Sequence, residues 1–485
     1  MKIKIRILRV KSAASLGVNF RIANVLSGEG LGVSEFLNNI SDIVWGMPTV
    51  ALIVIAGVCF TARLRLPQIT RFKETARTVI TQFKNGEGSA LRAVATSLSA
   101  TVGTGSVIGV ATAITLGGAG AVFWLWVSAF FGMAVAYAEG VLSIKFRRKA
   151  NGGYKGGMMY ALYDGLGAKK LSFVYAALGV LASLGMGSMA QTNSFAVSLK
   201  SGLNINPWVS AAICGAVVAI CAFGGSKTAG KISTYLLPVL AIGFTALMLG
   251  VIFANIKTLP EVFKTIITSA FGIKPAIGGA VGFGVKQAIS VGFKRGIFSN
   301  EAGLGTTASV HAQAQNVTPH EQGLINMFEV VVDTFIICTL TALAILSSGA
   351  LASDLDGGEL VSHAVKSVFG EGAGVAVSIT VAGFAIATAI GWSQIGKTSA
   401  DYLTHGKFMW AYNIIYIFSS VIGCLMSLDA VFTLSDIFNG LMVLPCMTAL
   451  LLLSNEVIKA CPSSQSPHRL FRSNQGLKPH KPRGK

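Results

Sequence analysis

The chain has 485 residues, of which 52% are hydrophobic and 12% charged, with a mean hydropathy of +0.65. That composition excludes an ordinary soluble domain and a disordered chain. The net charge of +19 does not signal nucleic acid, since no basic face with interleaved aromatics accompanies it; in a membrane protein, Lys and Arg collect in cytoplasmic loops and tails.

In chain order, residues 1–35 form an N-terminal extension of doubtful status. Met1 to Lys11 alternates charged with aliphatic residues, without the uninterrupted apolar run of a signal peptide. Apolar segments follow at 46–62, 93–117, 121–144, 172–198, 208–224, 233–254, 279–313, 323–349, 373–396, 409–426 and 431–454. By length and hydropathy they predict an all-α integral membrane protein of about eleven transmembrane helices. The cysteines sit mostly singly in apolar runs, with no CxxC pair and no metal-ligand spacing. They read as small buried hydrophobes rather than a disulfide framework.

The short loops set an orientation. Arg63, Arg65, Arg71, Lys73, Arg77 and Lys84 lie between the first two segments, and Lys145, Arg147, Arg148, Lys149 and Lys155 follow the third. The loop after the eighth is acidic, with Asp354, Asp356, Glu359 and Glu371. Basic loops face the cytoplasm, so the N-terminus is expected outside and the C-terminus cytoplasmic. The basic N-terminal extension opposes this, a conflict that a start site further downstream would remove. The expected layout is an accessory helix and basic cytoplasmic loop (36–92), a first set of five helices (93–254), an extracellular loop (255–278), a second set of five (279–455) and a basic tail (456–485). An odd number of helices per set forces the two sets into opposite orientations.

Two segments are punctuated. A straight helix over 276–310 would be about 52 Å long against a hydrocarbon core of about 30 Å. Gly292, Gly296, Gly303 and Gly305, with Ser299 and Asn300 between them, interrupt it. Ser97-Leu-Ser-Ala-Thr-Val-Gly-Thr-Gly-Ser106 breaks the first segment of the other set in the same way. Irregular backbone at membrane depth persists only inside protein or along a wet cavity. A pair of interrupted spans in two halves points to a transporter's binding site. There, half-helix N-termini offer N–H groups to a carboxylate and half-helix C-termini offer carbonyls to an ammonium or a metal cation.

The stretches Thr101-Val-Gly-Thr-Gly-Ser-Val-Ile-Gly-Val-Ala-Thr-Ala-Ile-Thr-Leu-Gly-Gly-Ala-Gly-Ala-Val-Phe-Trp-Leu-Trp126, Gly296-Ile-Phe-Ser-Asn-Glu-Ala-Gly-Leu-Gly305, Asp333-Thr-Phe-Ile-Ile-Cys-Thr-Leu-Thr-Ala-Leu343 and Gly391-Trp-Ser393 resemble the bacterial alanine or glycine:cation symporters. The similarity runs from about Phe36 to Glu456. It implies inverted five-helix repeats of the neurotransmitter:sodium symporter type with two discontinuous helices. It also implies a secondary transporter that imports a small neutral amino acid (alanine, glycine or serine) with sodium. The resemblance sets Thr104, Gly105, Gln191, Phe298, Ser299, Asn300, Thr388 and Trp392 around the substrate. It gives sodium the carbonyls of Ser99 and Val102, the backbone of Phe384 and the Thr388 hydroxyl. Two positions depart from the family pattern: Ser106 stands where Asn is usual, and Ala387 where Ser or Thr is common.

Each residue has a second reading. Thr104 and Gly105 suit a small-residue helix contact, and Gln191 an interhelical hydrogen bond. Ser299, Asn300 and Glu301 suit an N-cap, and Glu301 also a partner for Lys294 or Arg295. Asp333 is either a coupling residue or a structural hydrogen-bond partner. Trp392 lies one turn beyond Thr388 and is either a lid that limits side-chain size or a packed aromatic. Glu139, close to the basic loop, is expected to meet water or Lys145. No nucleotide signature supports a primary pump, and no nucleophile–base pair or metal cluster supports an embedded enzyme. A proton-coupled transporter, with Asp333 or Glu301 as carrier, and a transporter-like sensor are the remaining alternatives. No cofactor is expected; sodium, the amino acid and the bilayer are the expected partners.

Overall fold

The computed structural model describes residues 33–84, 88–150, 153–272, 284–353 and 355–462. The start of the N-terminal extension, most of the basic tail and residues 273–283 lie outside the described residues.

Helices dominate, and the order follows the apolar segments. Helices α1 (Val33–Val44) and α2 (Met47–Arg63) turn at Trp45–Gly46, and Pro48 opens α2 where its missing N–H costs nothing. The basic loop then folds into α3 (Phe72–Lys84), an amphipathic helix. The first punctuated segment runs as α4 (Gly88–Thr101), a bend at Val102–Gly103, a π-helical turn over Gly105–Gly109, and α5 (Val110–Gly117). Helix α6 (Gly120–Lys145) follows and ends at a hairpin of two short strands, β1 (Arg148–Ala150) and β2 (Gly153–Lys155), with Arg148 opposite Lys155. This hairpin is a small departure from the all-α expectation.

Helices α7 (Lys169–Ala182) and α8 (Gln191–Leu203) are continuous through a π-helical stretch, Ser183–Ala190. Helix α9 (Pro207–Ala254) is two spans merged across a kink at Gly225, whose φ of 74° is open to glycine. The loop expected outside contains α10 (Leu259–Ala270). The second punctuated segment is α11 (Val285–Asn300), an irregular stretch over 301–307 and the short α12 (Ala308–His311). Next come α13 (Pro319–Val330), a π-helical stretch over Val331–Cys338, α14 (Thr339–Ser347), α15 (Gly357–Phe369), α16 (Glu371–Thr404), α17 (Met409–Leu425), α18 (Leu428–Leu452) and α19 (Ser454–Ala460).

Among the described residues, nine helices are long and apolar enough to cross a membrane. The apolar α17 is shorter, and α11 stops at the break. Phe173, Ile220, Tyr235, Val239, Ile242 and Phe418 are exposed, the pattern of a helix bundle whose outer face meets lipid rather than water. The two punctuated segments lie inside: most of Ala93–Gly117 is buried, and so is every residue from Gly296 to His311.

Candidate functional site

At the first break, α4 ends at Thr101 because Val102 and Gly103 leave the helix. The last-turn carbonyls of α4, Ser99's among them, have no intrahelical donor to use. Leu98's takes the Val102 N–H at 2.7 Å. A Cβ on Gly103 would lie 2.1 Å from Thr388 Oγ1, so only glycine lets the bend press against α16. The Thr388 hydroxyl is buried and, among the described residues, has no hydrogen-bond partner. A mid-helix threonine ordinarily satisfies itself on the i−4 carbonyl, and an orphaned buried hydroxyl is costly. Facing the open turn of the first break, it fits a site that takes a cation or a polar ligand.

The second break is held from three sides. Glu301 ends α11 in the left-handed region (φ 57°) and Gly303 and Gly305 follow at φ 96° and 69°. The N–H groups of Gly303 and Gly305 both donate to Glu139 Oε1 at 2.9 Å. Ala302 N–H donates to Asn300 Oδ1 at 3.0 Å, and the Tyr175 hydroxyl donates to Leu304 O at 2.8 Å. Glu301 itself accepts from Thr306 Oγ1 at 2.5 Å and from Trp392 Nε1 at 2.8 Å. This is the satisfaction that irregular backbone at membrane depth requires.

The breaks meet each other. A Cβ on Gly105 would stand 3.2 Å from Ser299 Cα and 3.3 Å from Phe298 Cδ1. Ser106 and Ser299 converge on the Asp333 carboxylate: Ser106 Oγ donates to Oδ1, and Ser299 Oγ lies 2.9 and 2.7 Å from the two oxygens. Thr334 Oγ1 reaches Oδ2 at 3.0 Å and receives Asn300 Nδ2 at 3.1 Å. Thr104 Oγ1 donates to Gln191 Oε1 at 2.6 Å. Gly105 and Asp333 lie in π-helical stretches and Gln191 directly follows one. Such bulges turn side chains out of the usual register and recur at functional sites.

The structure thus brings Thr104, Gly105, Gln191, Phe298, Ser299, Asn300 and Asp333 together between the breaks, with Thr388 against Gly103. Ser99 and Val102 are buried at the end of α4, and Ser99 Oγ pairs with Ser233 Oγ at 2.9 Å. Phe384 lies within the regular α16 and packs edge-on against Phe244. Its carbonyl lies on the helical i→i+4 ladder, so any cation there would share it.

Two expectations need correction. Glu139 does not meet water or Lys145. It is 1% exposed and cradles the second break, while Lys145 pairs with Glu456. Its place in an apolar span, between Ala138 and Gly140, was the available signal. Glu301 does not pair with Lys294 or Arg295. Both cations go to Asp436, at 2.7 and 3.3 Å, a buried acid of α18 that sequence reasoning passed over. The guanidinium of Arg295 also sits over Phe298 and Phe432, which stack on each other at 5.6 Å. Trp392 was open to two readings, a lid or a packed aromatic. It is fully buried, rests against Gly187 and is fixed by Glu301.

A buried core of broken helices, hydroxyls and carboxylates inside a lipid-facing bundle defines a multi-pass membrane transporter. The profile of the Sodium:alanine symporter family matches residues 31–469, and the chain belongs to that family, which makes it a cation-coupled amino-acid symporter rather than an enzyme. It is 36% identical over 437 residues to the sodium/alanine symporter AgcS of Methanococcus maripaludis, covering 87% of this chain and 95% of that protein. It is 33% identical over 453 residues to a putative sodium/proton-dependent alanine carrier protein, YrbD, of Bacillus subtilis, covering 88% and 92%. In fold it is similar to MhsT, solved with L-phenylalanine, with a TM-score of 0.57, 13% identity and 78% and 93% of the two chains covered.

Proposed function

We propose that the protein imports a small neutral amino acid, alanine foremost, together with sodium by alternating access in the bacterial inner membrane. The two sets of five helices, 93–254 and 279–455, act as inverted repeats of an eleven-helix bundle whose N-terminus is outside and C-terminus cytoplasmic. The observation that carries this reading is the apposition of the two breaks, Gly105 against Phe298 and Ser299. A zwitterion bound there would find free N–H groups of the half-helix that starts at Thr104 for its carboxylate. Its ammonium would find carbonyls at the end of α4 or α11.

Sodium has two candidate oxygen sets. One is the Thr388 hydroxyl with the carbonyls of Ser99, Val102 and Phe384; the orphaned hydroxyl supports it. The other is Asp333 with Ser106, Ser299 and Thr334. Hard cations favour both kinds of oxygen ligand. The departure at Ser106 is then not a lost ligand, because its hydroxyl still reaches the carboxylate. In this orientation the stacked Phe298 and Phe432, with the Arg295–Asp436 pair beside them, would close the outward side of the site.

The test is uptake of labelled alanine, glycine and serine into proteoliposomes, with sodium and then with choline in its place. Accumulation of unmodified alanine only with sodium is the expected result. Full uptake in choline that collapses with a protonophore would replace sodium by protons, the coupling suggested by the name of the Bacillus relative. Binding without uptake would mark a sensor.

A further inference from the structure

Away from the central site lies a cavity of about 180 Å³, between α8, α15, α16 and the π-helical turn after the first break. Ile108 of that turn and Val377 of α16 give it apolar walls, and Asp356 and Glu359 stand at its rim. We propose that this cavity is an outer waiting site for the amino acid, on the path to the central site; it rests on the transport reading and on the orientation that puts α15 outside.

Four observations carry the proposal. Ser198 and Ser378 line the cavity, are 6% and 4% exposed, and among the described residues neither hydroxyl has a hydrogen-bond partner. Both serines are inside helices, where the i−4 carbonyl is the usual acceptor. Their hydroxyls are thus left open to a hydrogen bond with whatever enters the cavity.

The second observation is the start of α15. Asp356 caps it through Gly357 N–H at 2.6 Å and also accepts from Thr115 Oγ1 at 2.9 Å, which fixes the carboxylate toward α5. The N–H groups of Gly358 and Glu359 lie in the first turn and have no intrahelical acceptor. A Cβ on Gly358 would stand 3.8 Å from Ile108 and 3.9 Å from Ser198 Oγ, so the bare backbone faces the serine across the cavity. The third is charge. Open N–H groups and hydroxyls suit a carboxylate, while Glu359, exposed and without an ion pair among the described residues, suits an ammonium. Both poles of a zwitterion are therefore provided, a few residues apart. The fourth is size. The volume equals about six waters of the bulk liquid, which is roomy for a bare cation and fitting for an amino acid with a small side chain.

The experiment is equilibrium binding of labelled alanine, glycine and serine to the purified full-length protein, alongside uptake. Gly105→Leu closes the central site. The expected result is that this variant carries no amino acid yet still binds alanine weakly, and that adding Glu359→Gln lowers the residual affinity at least about ten-fold, as loss of one charge-assisted contact would. If Gly105→Leu binds none of the three amino acids, or if Glu359→Gln leaves its binding unchanged, the outer site does not exist. Absence of uptake by the unaltered protein would instead sink the transport reading. Should Gly105→Leu not purify as a folded protein, uptake by Glu359→Gln and by Ser198→Val decides. A raised KM with unchanged maximal rate supports the site; a KM equal to the parent's overturns it.

Discussion

The indole N–H of Trp392 donates to Glu301 Oε1 at 2.8 Å, which ties α16 to the turn that ends α11. The tryptophan is thereby part of the frame of the second break as well as a wall beside it. Trp392→Phe keeps the bulk and leaves a buried carboxylate oxygen without its donor, at a cost of about 1–3 kcal/mol. Trp392→Ala also opens a cavity beside Gly187, for a loss of about 3–5 kcal/mol. The expected outcome is a lower melting temperature for both, with uptake of larger apolar amino acids gained only by the alanine variant. A phenylalanine variant as stable as the parent would show that the hydrogen bond contributes nothing.

Thr388 permits a separation of folding from ion binding. Among the described residues its hydroxyl has no partner, so Thr388→Val removes a polar group that this packing does not use. Stability without sodium should hold or rise. If the hydroxyl binds sodium, the rise in melting temperature on adding sodium to the parent should shrink or vanish in the variant. An undiminished sodium response would move the ion to the Asp333 cluster.

That cluster has its own test. Asp333 is surrounded by the hydroxyls of Ser106, Ser299 and Thr334. In Asp333→Asn, one oxygen becomes an NH₂ that faces donors, and the negative charge is lost. The sodium concentration for half-maximal uptake should rise about ten-fold or more. Uptake that keeps its sodium dependence but loses its response to a pH gradient would identify Asp333 as a proton carrier instead.

Much of this arrangement was legible beforehand for physical reasons. A 35-residue apolar segment cannot cross the bilayer straight, and Gly303, Gly305 and their neighbours mark where it yields. The chemistry of Ser299 and Asn300 was visible as well, because hydroxyls and amides at membrane depth need partners. What stayed hidden was the choice of partner. Lys294 and Arg295 stand a few residues from Glu301 in sequence, yet α11 turns them toward Asp436, far along the chain, while Glu301 lies past the helix end in a left-handed turn. Glu139 was misjudged because closeness to a basic loop in sequence says nothing about which helix face carries the side chain.

The last prediction concerns the loop helix α3, outside the membrane spans. Glu74 pairs with Arg71 at 2.7 Å and with His320 Nε2 at 3.0 Å, and His320 Nδ1 meets the Tyr137 hydroxyl at 2.6 Å. The hydrogen bond to His320 pulls the Glu74 carboxyl down from its ordinary value of 4.5 to about 2, with help from Arg71 and against the cost of burial. A carboxyl lowered in the folded state stabilises the fold above its unfolded value, and that contribution is lost as pH falls through the folded one. The window here runs from 4.5 down to about 2. Because Glu74 is partly exposed, solvent screening keeps the contribution small. Thermal melts of the purified protein should therefore show a steeper loss of stability below pH 4.5 in the parent than in Glu74→Gln, with the two curves converging toward pH 2. Parallel curves across that range would mean that the contact among α3, α6 and α13 holds without the charge, and that His320 and Tyr137 suffice to keep the loop helix in place.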